Sequence, residues 1–453
     1  MPPAVLTPGV GSPGRSAVLL GLLFGLAGTS TSAVTVALPQ LSGELGVTAA
    51  TAAWIVSAYT VALAVATPLH GRLADMAGIR LPLCLGIAAM ATGAVISALA
   101  PNFVVLVVAR VLQGAGAAAV PVLATALISA RWQGAEQGAA LGRVAGVAAT
   151  LSALGPLIGG ALVGVGGWRW AVALPVIGLL AIPPLWRVSP TGGSGEPIDK
   201  IGAVLVALAA SGLVLLIQSP SAGPVAATVG AALIVVGVPA VAWRVRTHPH
   251  GFLPRAIITN VTVLRSAFAA AAVPASWFAL LLGVPLAAAS WGWTPLATGL
   301  LLLPAAVVGF ASPTVARRLL ARLGARRSIA LSCPTAVIAL LVAALGGVVE
   351  SPALLALAVA LVTAAFGVGQ PAMISSVGAA VPGAQRGVAL GIATLVFLTG
   401  ASVGAALVGG LSGIIGIPAA FCLLVALPVL GIVALLVGGP DRVEPTAPAA
   451  DGR

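Results

Sequence analysis

The sequence predicts an all-α polytopic membrane protein of fourteen transmembrane (14 TM) helices: two six-helix halves with two further helices inserted between them. Three observations carry that expectation: a composition too apolar for water, a one-sided placement of basic residues, and an internal repeat. Of 453 residues, 60% are hydrophobic and 7% charged, whereas soluble domains carry about 25% charged residues. A soluble globular domain is thereby excluded. The formal net charge of +12 would point to nucleic acid in a soluble chain; here the threading below absorbs it, and no nucleic-acid partner is expected. Cys84, Cys333 and Cys422 each sit inside an apolar run without ligand-like spacing, so neither a disulfide framework nor a metal site is expected.

At roughly 20 apolar residues per crossing, spans fall near 16–38, 49–69, 81–100, 103–126, 137–165, 169–187, 201–218, 224–245, 261–289, 295–316, 327–348, 353–376, 387–411 and 415–437. Residues 1–15 form an N-terminal tail, 16–187 the first half, 188–260 a linker with the two inserted spans, 261–437 the second half and 438–453 a C-terminal tail. The first span is longer than the apolar region of a secretory signal and reads as uncleaved. With the N-terminus cytoplasmic, nineteen of the 21 basic residues thread to the cytoplasmic side; Arg169 falls outside and Arg110 within span 4. That bias puts both termini in the cytoplasm. A single lysine among many arginines, with abundant Ala and Gly, suggests a GC-rich bacterium, hence its cytoplasmic (inner) membrane. Trp132, Trp168, Trp170, Trp186, Trp243, Trp291 and Trp293 fall at predicted span ends, where amphipathic rings favour the interface.

Between spans 2 and 3 lies the charged turn His70-Gly-Arg-Leu-Ala-Asp-Met-Ala-Gly-Ile-Arg80. Gly71 and Gly78 permit close backbone approach and positive φ, Asp75 can accept hydrogen bonds from a neighbouring helix end, and Arg72 and Arg80 mark the cytoplasmic side. Proton coupling, if used, would pass through Asp75, His70 or the partners of Arg110 near the inner face, and the simpler reading of His70, beside this turn, is that it is solvated.

The chain repeats itself. Gly134-Ala-Glu-Gln-Gly-Ala-Ala-Leu-Gly142 matches Gly383-Ala-Gln-Arg-Gly-Val-Ala-Leu-Gly391 at an offset of 249, which also pairs Gly155 with Gly404. Arg72-Leu73 and Gly78-Ile-Arg80 match Arg318-Leu319 and Gly324-Ala-Arg326 at an offset of 246. Both offsets advance eight spans, so two parallel six-span halves flank an inserted pair.

Two spans carry unusual residues. Span 4 holds Arg110-Val-Leu-Gln-Gly-Ala-Gly116, and an arginine inside a span needs a partner or a wet cavity, which makes it a functional candidate. Gln113 lies one turn away and Gly114 follows it. Span 5 holds Gly155-Pro156-Leu-Ile-Gly159-Gly160, whose proline kinks the helix while its glycines admit a neighbour closely.

The turn G-R-L-A-D-x-x-G-x-R resembles the loop between helices 2 and 3 of the major facilitator superfamily, although Met76 stands where that loop usually has a basic residue. Arg110 to Gly116 resembles that family's R-x-x-Q-G-x-G motif, and Gly155 to Gly160 its exporter signature G-P-x-x-G-G. Ala37-Leu38-Pro39, Trp54-Ile-Val-Ser-Ala-Tyr59 and Trp168-Arg-Trp170 also look like family positions. The inserted pair resembles the fourteen-helix drug:proton antiporter (multidrug efflux) branch. The resemblance implies a major facilitator fold with a substrate site between the halves near the midplane. It also implies gating and coupling roles for Gly71, Arg72, Asp75, Gly78, Arg80, Arg110, Gln113 and Gly114.

One family position departs. Nine residues before Pro39, where the family usually has Asp, this chain has Ser30, which cannot exchange a proton near neutral pH. All nine acids thread outside the membrane centre, so neutral or anionic amphipathic substrates are favoured over permanent cations. Arg143, one turn into span 5, either adds positive potential or snorkels to the interface. Tyr59 either lines a cavity or packs in the core, and Trp277, mid-span, lines a cavity, faces lipid or packs. Ser30, Tyr59, Arg143, Trp277, Phe278, Gln370 and Phe397 form the candidate cavity lining.

The expected activity is secondary active export of small amphipathic drugs or metabolites, with protons as partner and the proton gradient as energy source. A monomer without cofactor is expected. A proton-independent facilitator, an uptake carrier or a non-transporting regulatory relative are the alternatives. No G-x-x-x-x-G-K-[ST] occurs, which argues against an ATP-driven pump in this chain. His70, His248 and His250 thread to the cytoplasmic side without intramembrane acids, which argues against a membrane-embedded enzyme.

Overall fold

The computed structural model describes residues 13–132, 134–193, 199–249, 251–381 and 386–437. The tails, residues 383–385 of the repeat, His250 and the side chain of Asp75 lie outside the described residues. Within them all regular structure is helical. Among the described residues twelve helices are long and apolar enough to cross a membrane, and one bent pair makes a thirteenth. The run Pro295–Val348 has 54 residues, about 80 Å as one helix and too long for one bilayer crossing. Gly324 breaks it with φ 76° and ψ 171°, so it supplies two arms.

Divided at Gly324 and with the bent pair joined, the described residues give fourteen long helical segments: α1 Pro13–Glu44, α2 Trp54–Ala77, α3 Arg80–Ala98, α4 Phe103–Arg131, α5 134–166, α6 Trp168–Val188, α7 Lys200–Ala222, α8 Pro224–Thr247, α9 Val261–Ser290, α10 295–323, α11 325–348, α12 Pro352–Ala379, α13 Arg386–Ile415 and α14 Ile417–Leu436. α5 bends by 43° between Arg143–Ser152 and Gly155–Gly166, with Pro156 opening its second arm, as the motif predicts. Side-chain caps start several spans: Asn102 for α4, Asp199 for α7, Asn260 for α9 and Ser351 for α12 each accept from a backbone N–H three residues on.

The expected turn over 70–80 is mostly helix. α2 continues to Ala77, and only Gly78 and Ile79 separate it from α3. Gly78 has the predicted positive φ of 78°. Gly71 is helical instead, and a Cβ there would meet Val122 Cγ1 at an ordinary 3.7 Å. The extra two turns of α2 also bury His70, whose Nδ1 lies 2.9 Å from the Ala66 carbonyl, so the solvated reading is corrected. Trp168 is likewise fully buried; its indole donates to Glu44 at 2.8 Å and Arg169 pairs with the same carboxylate at 2.9 Å. Trp170, Trp186 and Trp243 are exposed at span ends, matching the interfacial expectation.

The end carrying Arg72, Arg80, Arg131 and Arg244 is called the basic end below. At the opposite, far end one apolar core joins both halves, with Leu38, Ile55 and Leu106 packed in the same cluster as Phe278, Leu282 and Phe421. At the basic end each half has a separate core, built around Leu83, Leu123 and Ile128 in the first half and Ile329, Met373 and Ile392 in the second. The inserted α7 bridges them from the side: Val214 packs with Val61 of α2 and Ala406 of α13, and Val206 with Ala64 and Leu395.

Candidate functional site

Arg110 lies at the meeting of α1, α2 and α4 and is fully buried. Its Nε donates to Ile55 O at 3.1 Å, and its Nη1 to Gln113 Oε1 at 2.6 Å and to Ser30 Oγ at 3.2 Å. The guanidinium carbon stands 4.3 Å from the Tyr59 ring centroid, a cation–π contact, and Tyr59 Oη donates to Ala27 O at 2.8 Å. Gly114 makes the site possible, since a Cβ there would collide with the Tyr59 carbonyl. No carboxylate pairs with Arg110 among the described residues. Asp75 is no candidate, because it sits twenty residues along α2 from Ile55, about 30 Å of helix. Arg110 Nη2 and Gln113 Nε2 are buried without a partner among the described residues. A buried charge left in this state is costly and is held by its hydrogen bonds and the Tyr59 ring. It can attract an anion and cannot itself exchange a proton near neutral pH.

The candidates grouped by motif therefore separate. Arg110, Gln113 and Gly114 lie deep in the first half, while Arg72, Gly78 and Arg80 lie at the basic end. Arg80 donates from Nε to Ser189 O and from its backbone to Pro190 O, and Arg131 donates to Val188 O at 2.5 Å. Three carbonyls at the C-terminal end of α6, where the helix dipole is negative, are thus held by arginines. A Cβ at Gly78 would lie 2.8 Å from Thr191 C, so only glycine admits this segment. Arg72 Nη2 reaches Gly251 O, in the turn after α8, at 3.0 Å.

That turn is itself pinned. Asp199 caps α7 through Gly202 N at 3.0 Å, accepts Phe252 N at 3.1 Å, and pairs with Arg244 of α8 at 2.7 Å. Its carboxyl is held down to about 2; burial alone would raise it, and Arg244 with the two backbone amides outweighs burial. Phe252 and Leu253 then pack against Leu69 of α2 and Leu395 and Leu398 of α13.

The α5 signature packs in two directions. A Cβ at Gly155 would collide with Ser32 Oγ, and one at Gly159 would lie 2.5 Å from Ala33 Cα, both on α1. Gly160 faces the other half: a Cβ there would lie 2.5 Å from Pro295 O at the start of α10. Reciprocally, one at Gly299 would lie 2.7 Å from Pro156 O. The second-half copy repeats the first direction, Gly404 pressing on Ala275 of α9. A second link between the halves joins Thr60 Oγ1 of α2 and Ser402 Oγ of α13 at 2.7 Å.

The seven residues chosen as cavity lining do not share one wall. Ser30 and Tyr59 are core residues around Arg110. Arg143 is exposed on α5 near Gly14. Trp277 of α9 stacks on Phe366 of α12 with centroids 4.8 Å apart, meets Phe278 edge-on at 4.9 Å, and donates to Thr363 Oγ1 at 3.2 Å. Phe366 in turn lies 5.5 Å from Phe397. Gln370 is half-buried, one turn along α12 from Phe366. Phe366, Thr363, Ser402, Gly299 and Asp199 were not legible as partners, since each meets a residue far away in sequence. Only the N-cap position of Asp199 before an apolar run was a local signal.

The sequence profile described as Major Facilitator Superfamily matches residues 20–377 and again 266–452. Multidrug resistance protein Stp of Mycobacterium tuberculosis (strain ATCC 25618 / H37Rv) is 32% identical over 312 residues, covering 65% of this chain and 56% of that protein. Efflux pump dotC of Dothistroma septosporum (strain NZE10 / CBS 128990) is 38% identical over 164 residues, covering 36% of this chain and 28% of the pump. The alignments thus span between about a quarter and just over half the length of these curated relatives. A crystal structure of a POT family transporter in complex with 5-aminolevulinic acid superposes with a TM-score of 0.70 at 14% identity, covering 93% of this chain and 95% of that one.

Proposed function

The chain belongs to the major facilitator superfamily, and from that premise we propose that it exports small amphipathic molecules across a bacterial cytoplasmic membrane by proton antiport. Members of this superfamily carry small molecules across membranes, so the protein is a transporter and not an enzyme. The observation that carries export is the position of the α5 signature, whose Gly160 and the facing Gly299 form a close contact between the halves at the far end. With a shared core at that end and separate cores at the basic end, rocking of the halves about this seam is a physically simple route to alternating access. Relatives described as an efflux pump and a multidrug resistance protein support the direction.

The substrate preference proposed is neutral or anionic. Arg110 keeps a buried positive charge with no carboxylate opposite it among the described residues, so a permanent cation meets repulsion where it would need a counter-ion. Proton coupling is assigned to the basic end, with Asp75 and His70 as the titratable candidates and Arg72, Arg80 and their carbonyl partners as the gate. Trp277, Phe278, Phe397 and Gln370 are proposed to line the substrate path in the second half. The basic end is taken as cytoplasmic, with both termini there, and the protein as a monomer.

A proton-independent facilitator is the second reading, favoured by the lack of a carboxylate beside Arg110 among the described residues. Proteoliposomes loaded with cationic, neutral and anionic dyes, with a pH gradient imposed and then collapsed, separate the two. Gradient-dependent movement of anionic and neutral dyes is expected. Equal transport with the gradient collapsed establishes the facilitator, and strong transport of a quaternary ammonium dye overturns the charge preference.

A further inference from the structure

Between the inserted hairpin α7–α8 and the second half lies a crevice of about 420 Å³. Val206 and Leu213 of α7, Val238 of α8, Phe268 and Ala272 of α9 and Leu395 of α13 are among its walls. Its one hydroxyl belongs to Thr399, which already donates to Leu395 O at 2.8 Å. A ligand that needs a side-chain donor finds none free along these walls, whereas an alkyl chain needs none. Phe268 is 53% exposed, so the crevice opens sideways, toward the bilayer rather than the bundle axis.

At the basic end the surroundings turn positive. Arg265 precedes Phe268, Ala272 and Ala275 by three, seven and ten residues, so it extends the same helical stripe by one turn. Arg255 is exposed two residues beyond the wall residue Leu253. Arg244 is at this end too, already paired with Asp199, whereas Arg265 and Arg255 make no ion pair among the described residues. Trp243, 60% exposed on α8, marks the headgroup level beside them.

We infer that this crevice holds one anionic phospholipid of the bilayer, its acyl chain along α9 and α13 and its phosphate at Arg265 with Arg255 beside it. Basic positions between helices at a membrane surface select anionic headgroups in this way. The lipid braces the inserted pair against the second half, a role independent of the transported substrate.

The test is native mass spectrometry of the full-length protein in detergent, titrated with phosphatidylglycerol or phosphatidylcholine. The wild type is expected to retain phosphatidylglycerol about fivefold more strongly, the weight of one basic residue at an anionic surface. Arg265→Gln is expected to remove that preference and Arg265→Lys to keep it, and Ala272→Trp, filling the crevice, to weaken retention of both lipids. Leu213→Trp gives the same reading from the opposite wall should Ala272→Trp not fold. Equal retention of the two lipids by the wild type overturns the proposal, as does an unchanged preference in Arg265→Gln. Displacement of the bound lipid by a transported dye would make the crevice a substrate path and overturn it as well.

Discussion

Arg80 and Arg326 make the same contact in the two halves: each guanidinium donates to a backbone carbonyl 109 residues downstream, Ser189 at 3.0 Å and Leu435 at 2.6 Å. Two residues before each arginine a glycine holds nearly the same backbone, φ 78° and ψ 171° at Gly78 and φ 76° and ψ 171° at Gly324. Each contact fastens the last span of a half where its carbonyls are unsatisfied. Arg80→Ala and Arg326→Ala are each expected to cost about 1.5–3 kcal/mol, the usual weight of a hydrogen bond to a charged group. Their effects should add, because the sites share no partners. Thermal unfolding of the two single variants and the double variant in detergent checks this.

Arg110 uses its planar fork on three acceptors from three helices. Lysine offers a point charge that cannot span Ile55 O, Ser30 Oγ and Gln113 Oε1 together. Arg110→Lys is therefore expected to lower transport at least ~10-fold with the charge retained. Ser30→Asp, which places a carboxylate at the position whose Oγ now lies 3.2 Å from Arg110 Nη1, is expected to raise cationic dye transport relative to anionic dye. Initial transport rates in proteoliposomes read both, and an unaltered dye ratio in Ser30→Asp counts against the charge argument.

Asp199 titrates far below its ordinary value of 3.8, at about 2. A depressed carboxyl contributes stability that is complete above its unfolded value and lost as pH falls through its folded one, here about 2 kcal/mol lost between about pH 4 and pH 2. The latch of α7, α8 and the Phe252 turn should thus be indifferent to pH between 7 and 5. Asp199→Asn is expected to lower the unfolding temperature at pH 7 and to flatten the acid limb of its pH profile.

Gly160 and Gly164 lie one turn apart with opposite surroundings. A Cβ at Gly160 would lie 2.5 Å from Pro295 O, whereas one at Gly164 meets nothing within 4 Å. Gly160→Val should therefore open the far-end seam and lower transport at least ~10-fold, while Gly164→Val leaves it near wild type, both scored by dye transport at matched expression.

Composition, span lengths and the repeat determined the fold class, because apolar length and arginine placement answer to the bilayer, a solvent that acts on every span separately. The positive φ of Gly78 and the bend at Pro156 were legible too, because each is written locally, whereas Gly71 is helical. The extent of α2 was not: His70 to Ala77 read as a polar turn, and packing against neighbouring helices keeps it helical and buries His70. Nor did the sequence indicate that Trp168 is a core residue held by Glu44, that Arg110 and Arg72 serve different regions, or that the cavity candidates divide among three places. Those outcomes rest on contacts such as Thr60 with Ser402, 342 residues apart. No pattern of spacing encodes such pairs, and only the tertiary structure decides which helix faces meet.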